Sequence, residues 1–125
     1  MPTEYFLYYE ELDWCEKIRQ LGYEIKMVGE GKVIHKASAS VKSNSPLQTF
    51  YMTRNRLIFI NRFASTNQFS LFWKYFNWIV VPQKTFTFLI NQDLEGLKAF
   101  KQAISAAKTY LNNKALPLEK YQAAA

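Results

Sequence analysis

The amino-acid sequence predicts an α/β fragment, α+β in its arrangement, in which short strands and one helix precede a set of amphipathic helices. Residues 5–9 (YFLYY) are aromatic and uncharged, as expected of a short buried strand. Residues 23–28 (YEIKMV) alternate between apolar and polar side chains, which is typical of a half-buried strand. After residue 45 the apolar residues recur at helical spacing instead. Strands are therefore expected only before that point.

A helix is expected between the first two strands. Its apolar positions are three residues apart and comprise Leu12, Cys15, Ile18 and Leu21. Gly22 follows them, at the place where a helix commonly ends on a residue with positive φ. A third strand, residues 32–35, ends in His35, the sole histidine of the chain.

The rest of the chain is expected to be helical. Residues 36–45 are small, polar and basic, which indicates a loop. Ser45 and Pro46 are typical of a helix N-cap followed by proline at the first helical position. Residues 69–90 form the most apolar stretch, but lysine, asparagine and proline interrupt it, so it contains no run of ~20 apolar residues that would span a bilayer. A last helix is expected from about Asp93.

Composition and charge exclude several classes of protein. With 49% hydrophobic and 17% aromatic residues, the chain has enough apolar material for a core, which excludes disorder over most of its length. The single cysteine excludes an internal disulfide framework and a multi-cysteine zinc site. Residues 1–30 hold seven acids against three basic residues, whereas residues 31–92 hold eight basic residues and no acid. The acidic part suits metal binding or proton transfer, and the basic part suits phosphates or an anionic surface.

One long segment resembles a known family. FLYYEELDWCEKIRQLGYEIKMVGEGKVIHKASAS, followed by SPLQTFYMTRNRLIFINRF, is similar to the C-terminal half of bacterial family-2 glycosyltransferases of the GT-A fold. The likeness is greatest to the rhamnosyl- and galactofuranosyl-transferase branch, which builds polysaccharides on lipid carriers. It covers residues 4–63 and continues more loosely to about residue 115. The acidic cluster, the Gly22-Tyr23 pair and the distance to His35 carry it.

The resemblance implies a division of the chain. Residues 1–45 would be the C-terminal part of the Rossmann-like GT-A catalytic domain, with the acidic motif and the histidine strand. Residues 46–115 would be a helical, basic and aromatic region at the membrane and the acceptor, and residues 116–125 a tail. The nucleotide sugar would be bound by an N-terminal half that carries an Asp-x-Asp metal motif, and this sequence contains no such motif.

Site residues follow from the same resemblance. Glu11 falls at the position of the general base, and Asp13 at that of a second carboxylate that faces the acceptor together with Glu10. His35 falls at the position of a metal ligand, with Mn²⁺ favoured over Mg²⁺ because an imidazole nitrogen is a softer ligand than oxygen. One departure is clear: the family base is usually Asp, and Glu adds a methylene group. Without the resemblance, the residues favour an ordinary acidic helix N-terminus and a hydrogen-bonded histidine.

Three further features allow two interpretations each. Arg54 and Arg56, with Arg62, suit the phosphates of a lipid-linked acceptor or of membrane headgroups, or form a solvated helix face. Trp14 stacks on a sugar ring or is buried beside Leu12 and Ile18. Residues 69–90 form an interfacial helix in the headgroup region, or a core or dimer contact.

Two functions are expected as alternatives. The first is inverting glycosyl transfer from a nucleotide sugar to a lipid-linked or polysaccharide acceptor, at the cytoplasmic face of the cell membrane. It requires a divalent cation, and this fragment would be inactive without its donor-binding half. The second is a non-enzymatic, basic module for membrane binding or homo-oligomerisation, which needs only residues 46–111. Nucleic-acid binding is not expected, because no recognised motif is present and the acidic part would oppose it.

Overall fold

A computed structural model describes residues 4–32 and 44–113, and the regular structure in this part of the chain is helical, without a strand. The helices are α1 (Glu10–Gln20), α2 (Pro46–Phe63), α3 (Thr66–Tyr75), a π-helical turn (Phe76–Val80), α4 (Val81–Ile90) and α5 (Leu94–Asn113). The expected tail at residues 116–125 lies outside the described residues.

The predicted α/β fold class is wrong for the described residues. Within the first predicted strand, residues 6–9 form bends that lead into α1. Residues 23–28 have no regular structure and are exposed at every position. A strand needs a neighbour for its backbone hydrogen bonds, and neither segment has a strand beside it in the described part of the chain. The apolar pattern is present in the sequence, but residues 4–32 and 44–113 contain no neighbouring strand that would complete a sheet. The third predicted strand, residues 32–35, lies almost entirely outside the described residues.

The predicted helix α1 is confirmed, including its end. Its acids lie in the first turn and its basic residues Lys17 and Arg19 in the last turn, in the sense that the helix dipole favours. Gly22 has φ 85°, and its N–H donates to the Arg19 carbonyl at 3.0 Å. A side chain at this φ would be strained, which explains the glycine.

Local capping explains where the later helices begin. Ser45 Oγ accepts a hydrogen bond from the Gln48 N–H at 3.2 Å, and Pro46 follows at the first helical position, as predicted. Ser65 caps α3 through a reciprocal capping box with Gln68. Asp93 Oδ1 accepts from the Gly96 N–H at 2.8 Å at the start of α5, close to the predicted boundary.

The segments α3, π turn and α4 follow one another without a break. Pro82 has no N–H to donate to the Trp78 carbonyl, and its ring would crowd the preceding turn of a regular helix. The chain widens just before this proline, and the N–H of Val81 donates to the carbonyl of Phe76, five residues earlier. No described helix is long and apolar enough to cross a membrane.

The core lies between α2, α5 and the inner side of α3, the π turn and α4. Its buried centre consists of Leu57, Phe76, Phe100 and Ala107. Partly buried apolar side chains pack around this centre, namely Phe72, Trp73, Val80, Val81, Phe88 and Ile104. Ala103 and Ala107 of α5 are fully buried, and side chains this small let the backbones of α5 and α2 lie close together. None of the described residues before Leu57 belongs to this cluster.

Candidate functional site

The segment before α1 is bound to α2 by a buried amide. Asn55 is 0% exposed, and its Nδ2 donates to the carbonyls of Leu7 at 2.7 Å and Tyr8 at 3.1 Å. Its Oδ1 accepts from Arg54 Nη1 at 2.7 Å. Both polar atoms of the Asn55 side chain are therefore hydrogen-bonded, and its Nδ2 joins α2 to the segment just before the first turn of α1.

Two tyrosines in this segment have left-handed backbone conformations. Tyr8 has φ 67° and Tyr9 has φ 75°. Large side chains rarely adopt this region, so the conformation costs free energy that surrounding contacts must offset. Asn55 binds the carbonyls on either side of this bend, and the ring of Tyr9 packs on Phe59 with centroids 5.6 Å apart. The strained bend sets the direction in which α1 begins, and thus the position of Glu10 and Glu11.

The two predicted phosphate-binding arginines take part in this attachment. Arg54 Nη1 also donates to the Glu4 carbonyl at 3.0 Å, and its guanidinium lies 5.6 Å from the centre of the Tyr110 ring. Arg56 is exposed, and its Nε donates to the Tyr9 hydroxyl at 3.0 Å. Arg54 is thus committed to internal contacts, whereas Arg56 is exposed and is bound through its Nε.

Arg56 also borders a cleft of about 240 Å³ between α2 and α4. Lys84 stands across the same cleft, and no acidic residue lines it. The floor is aromatic, formed by Phe76, Phe88 and Phe100. Polar side chains of α2 and of the segment just before it also line the cleft, namely Asn44, Gln48, Thr49 and Thr53, and Met52 and Val80 complete the lining.

Asp13 is a structural ion-pair residue. Its carboxylate is 0% exposed, and it pairs with Lys17 Nζ at 2.7 Å and with Arg62 Nη1 at 3.0 Å. Two cations therefore neutralise one buried acid and join α1 to the end of α2. This arrangement encloses the carboxylate and holds the helix that carries the other two acids, and the predicted contact of Asp13 with an acceptor stays a prediction.

Tyr5 lies beside this ion pair. It is 6% exposed, and burial raises the pKa of its phenol well above the ordinary value, with the negative charge of Asp13 acting in the same direction. Arg62 opposes this shift in the pKa of Tyr5. The pKa of Arg62 is itself raised: burial, the largest single effect, lowers it, but the charges of Asp13, Tyr5 and Glu4 together outweigh burial. The phenol therefore stays protonated while Asp13 and Arg62 are charged.

Glu10 and Glu11 are the acids that remain available. Glu10 is half-buried, and its Oε2 is enclosed and has no hydrogen-bond partner among the described residues. Glu11 is exposed on the next position of the same turn. The structure thus brings the three predicted acids onto one helical turn and separates them, with Asp13 neutralised inside and the two glutamates outside the ion pair.

The remaining predicted site residues have different outcomes. Trp14 is 56% exposed, so the alternative of burial beside Leu12 is wrong, and its ring is accessible to a ligand. His35 lies outside the described residues, and its convergence with the acids stays a prediction. Asn55 and Tyr5 were missed, although a polar residue next to Leu57 and Ile58 on an apolar helical face was a usable signal.

The described residues do not by themselves form a metal site. In residues 4–32 and 44–113, no group of three His, Cys, Asp or Glu side chains could hold a metal ion. Glu10 and Glu11 offer carboxylate oxygens, but a divalent cation in an oxygen site takes six or more ligands.

Comparisons of the chain with family models, with curated proteins and with solved structures find no match.

Proposed function

We propose that the chain is part of an inverting glycosyltransferase that moves a sugar from a nucleotide sugar to a lipid-linked or polysaccharide acceptor. It would work in a bacterial cell, at the cytoplasmic face of the membrane. The supporting observation is the first turn of α1, where Glu11 is exposed and Glu10 keeps a buried carboxylate oxygen without a described partner. Asp13, four residues from the strained bend, is neutralised and so leaves these two acids to act.

The chemistry needs one base. As the acceptor oxygen attacks the anomeric carbon, Glu11 takes its proton, and the bond from that carbon to the diphosphate breaks on the opposite side. Exposure suits Glu11 for this role because the acceptor hydroxyl must reach it. The enclosed oxygen of Glu10 is suited to accept a hydrogen bond from an acceptor hydroxyl. Trp14, exposed one turn later, offers an aromatic face to the sugar.

The donor side of the reaction lies elsewhere. A Mn²⁺ or Mg²⁺ ion would stabilise the leaving diphosphate, with its main ligands in the donor-binding half that the resemblance implies. Arg56 is the more suitable of the two predicted phosphate-binding residues, because Arg54 is held by Glu4, Asn55 and Tyr110. The chain alone is expected to be inactive.

Replacement of the base tests this function. In the enzyme with its donor-binding half, Glu11→Gln should lower kcat by about 10²–10⁴-fold while donor affinity stays the same, because the amide cannot take the proton. The measurement is release of nucleoside diphosphate from a panel of nucleotide sugars in the presence of acceptor lipid. Glu30→Gln, an equal change at an exposed acid, is the matched control. Undiminished kcat in Glu11→Gln would exclude Glu11 as the base.

A second candidate is the basic module that binds a membrane or another copy of the chain without catalysis. The exposed apolar side chains of α3 and α4 favour it. It predicts that the double variant Glu10→Gln/Glu11→Gln retains every measurable property of the protein. If this double variant loses sugar transfer that the unmodified protein performs, membrane binding or self-association cannot be the whole function.

A further inference from the structure

The outer side of α3, the π turn and α4 is apolar and uncovered. The inner side packs against α2 and α5 through Phe72, Phe76 and Val80. The opposite side exposes large apolar side chains, each more than half accessible, and Trp78 reaches 82%. We define the outer stripe as these seven residues: Leu71, Tyr75, Trp78, Ile79, Phe86, Leu89 and Ile90.

The outer stripe is one continuous face. Its members are three, four or seven residues apart along an unbroken helical run, and this spacing places side chains on the same side of a helix. The buried members of the same run occupy the other side. A helix that is apolar on both sides needs a second apolar neighbour besides its own core.

Charge identifies the kind of neighbour. Residues 66–90 contain no acid. Of their two charged residues, Lys74 is exposed next to Tyr75 of the outer stripe, whereas Lys84 lines the cleft on the inner side. They belong to the longer stretch, residues 31–92, that has eight basic residues and no acid. Tryptophan and tyrosine beside lysine are the side chains favoured at the level of lipid headgroups. Apolar insertion combined with positive charge fits an anionic bilayer.

We propose that the outer stripe docks on an anionic lipid bilayer, with the α3–α4 run lying in the plane of the headgroups. No described helix is long and apolar enough to cross the membrane, so the contact is made by one face of the helix. A membrane location is already part of the proposed function. The docking face is inferred from the outer stripe alone and holds whether or not the protein transfers sugars.

Tryptophan fluorescence on the whole chain measures this contact directly. Trp78 alone is kept in Trp14→Phe/Trp73→Phe, and vesicles of phosphatidylcholine with phosphatidylglycerol carry bromine on the acyl chains. Bromine quenching and a blue shift of Trp78 are expected, because its side chain enters the bilayer. Trp14 alone, kept in Trp73→Phe/Trp78→Phe, is the control, since it is exposed on α1 and should remain unquenched.

Vesicle flotation tests the residues. Ile79→Ser/Phe86→Ser should weaken binding at least about tenfold, because two large side chains no longer enter the bilayer. Leu21→Ser/Met27→Ser makes the same kind of change at exposed apolar positions away from the outer stripe and should bind normally. Lys74→Gln should weaken binding about fivefold, and added salt should do likewise.

Three results would overturn the inference. The first is Trp78 fluorescence that is unchanged by anionic vesicles at low salt. The second is equal loss of flotation in the Leu21→Ser/Met27→Ser control. The third is a Trp78 environment that changes with protein concentration in the absence of lipid, since a second copy of the chain would then cover the outer stripe. None of these three results depends on whether Glu11→Gln loses transfer activity, so the docking face and the proposed function are tested separately.

Discussion

Asn55 is a buried amide whose hydrogen bonds join α2 to the carbonyls of Leu7 and Tyr8. Its partners lie 48 and 47 residues away in sequence, so no local pattern could have predicted them. The sequence Arg54-Asn55-Arg56 was instead interpreted as a basic surface for phosphates. That prediction stays open for Arg56, whereas Arg54 has its guanidinium against Tyr110 and the Glu4 carbonyl.

Asn55→Ala should destabilise the protein by about 2–3 kcal/mol. It removes both donors to the strained bend and leaves two backbone carbonyls to find other partners. Urea denaturation followed by circular dichroism measures the free energy of unfolding. Asn67→Ala, at an exposed position in the first turn of α3, should change it by less than about 0.5 kcal/mol. Equal stability of the two variants would mean that the amide does not hold the bend.

The buried phenol of Tyr5 should make the free energy of unfolding fall at alkaline pH. Burial raises the pKa of its phenol, so the folded protein keeps this proton to a higher pH than the unfolded chain does. Its contribution is fully present below the unfolded pKa near 10. Above that pH the free energy of unfolding falls by up to about 1.4 kcal/mol per pH unit.

Tyr5→Phe should lose less stability than the unmodified protein between about pH 10 and pH 11.5, because it lacks the titrating group. Urea denaturation at a series of pH values gives the slope. Tyr23→Phe, which removes a phenol that is 67% exposed, should keep the original slope. Identical slopes for Tyr5→Phe and the unmodified protein would show that Tyr5 is not the group responsible.

Among the secondary-structure elements, the helices followed from local signals and the strands did not. Ser45 with Pro46, the spacing of apolar residues in α1, and Gly22 all act within a few residues, and each was confirmed. A strand depends on a partner that its own sequence does not contain. For this reason residues 23–28 have the alternating pattern of a strand, but the pattern alone does not make them part of a sheet.

Gly96 gives a test at the start of α5. A Cβ at this position would lie 2.8 Å from Phe88 Cε1 and closer still to the carboxylate of Asp93. Gly96→Ala should therefore destabilise the protein by about 1–3 kcal/mol, although alanine normally favours a helix by about 1 kcal/mol over glycine. Thermal and urea denaturation measure the change.

Ser105→Ala, at an exposed position of the same helix, is the control for Gly96→Ala and should be neutral or slightly stabilising. A more stable Gly96→Ala would mean that Asp93 and Phe88 move aside without loss of the cap.

For the whole molecule, composition predicted a hydrophobic core, and helical periodicity predicted most of the helices that surround it. The arrangement was not predicted, because the contact of α2 with α5 joins residues far apart in the chain, such as Leu57 and Phe100. Of the site, the sequence identified the acidic turn. It did not predict that Asp13 would be enclosed between Lys17 and Arg62, since that depends on where α2 ends.

The α1 region and the body formed by the later helices are held by different forces. The buried apolar cluster contains no residue of α1. The first turn of α1 is held by the Asp13 ion pairs, and the segment just before it is held by the Asn55 hydrogen bonds. α1 should therefore detach as a separate cooperative unit at less than the global free energy of unfolding. Native-state hydrogen exchange would detect this as α1 amides that open earlier, and with weaker urea dependence, than those of α2 and α5. The two glutamates would then leave their positions while the rest of the protein remains folded.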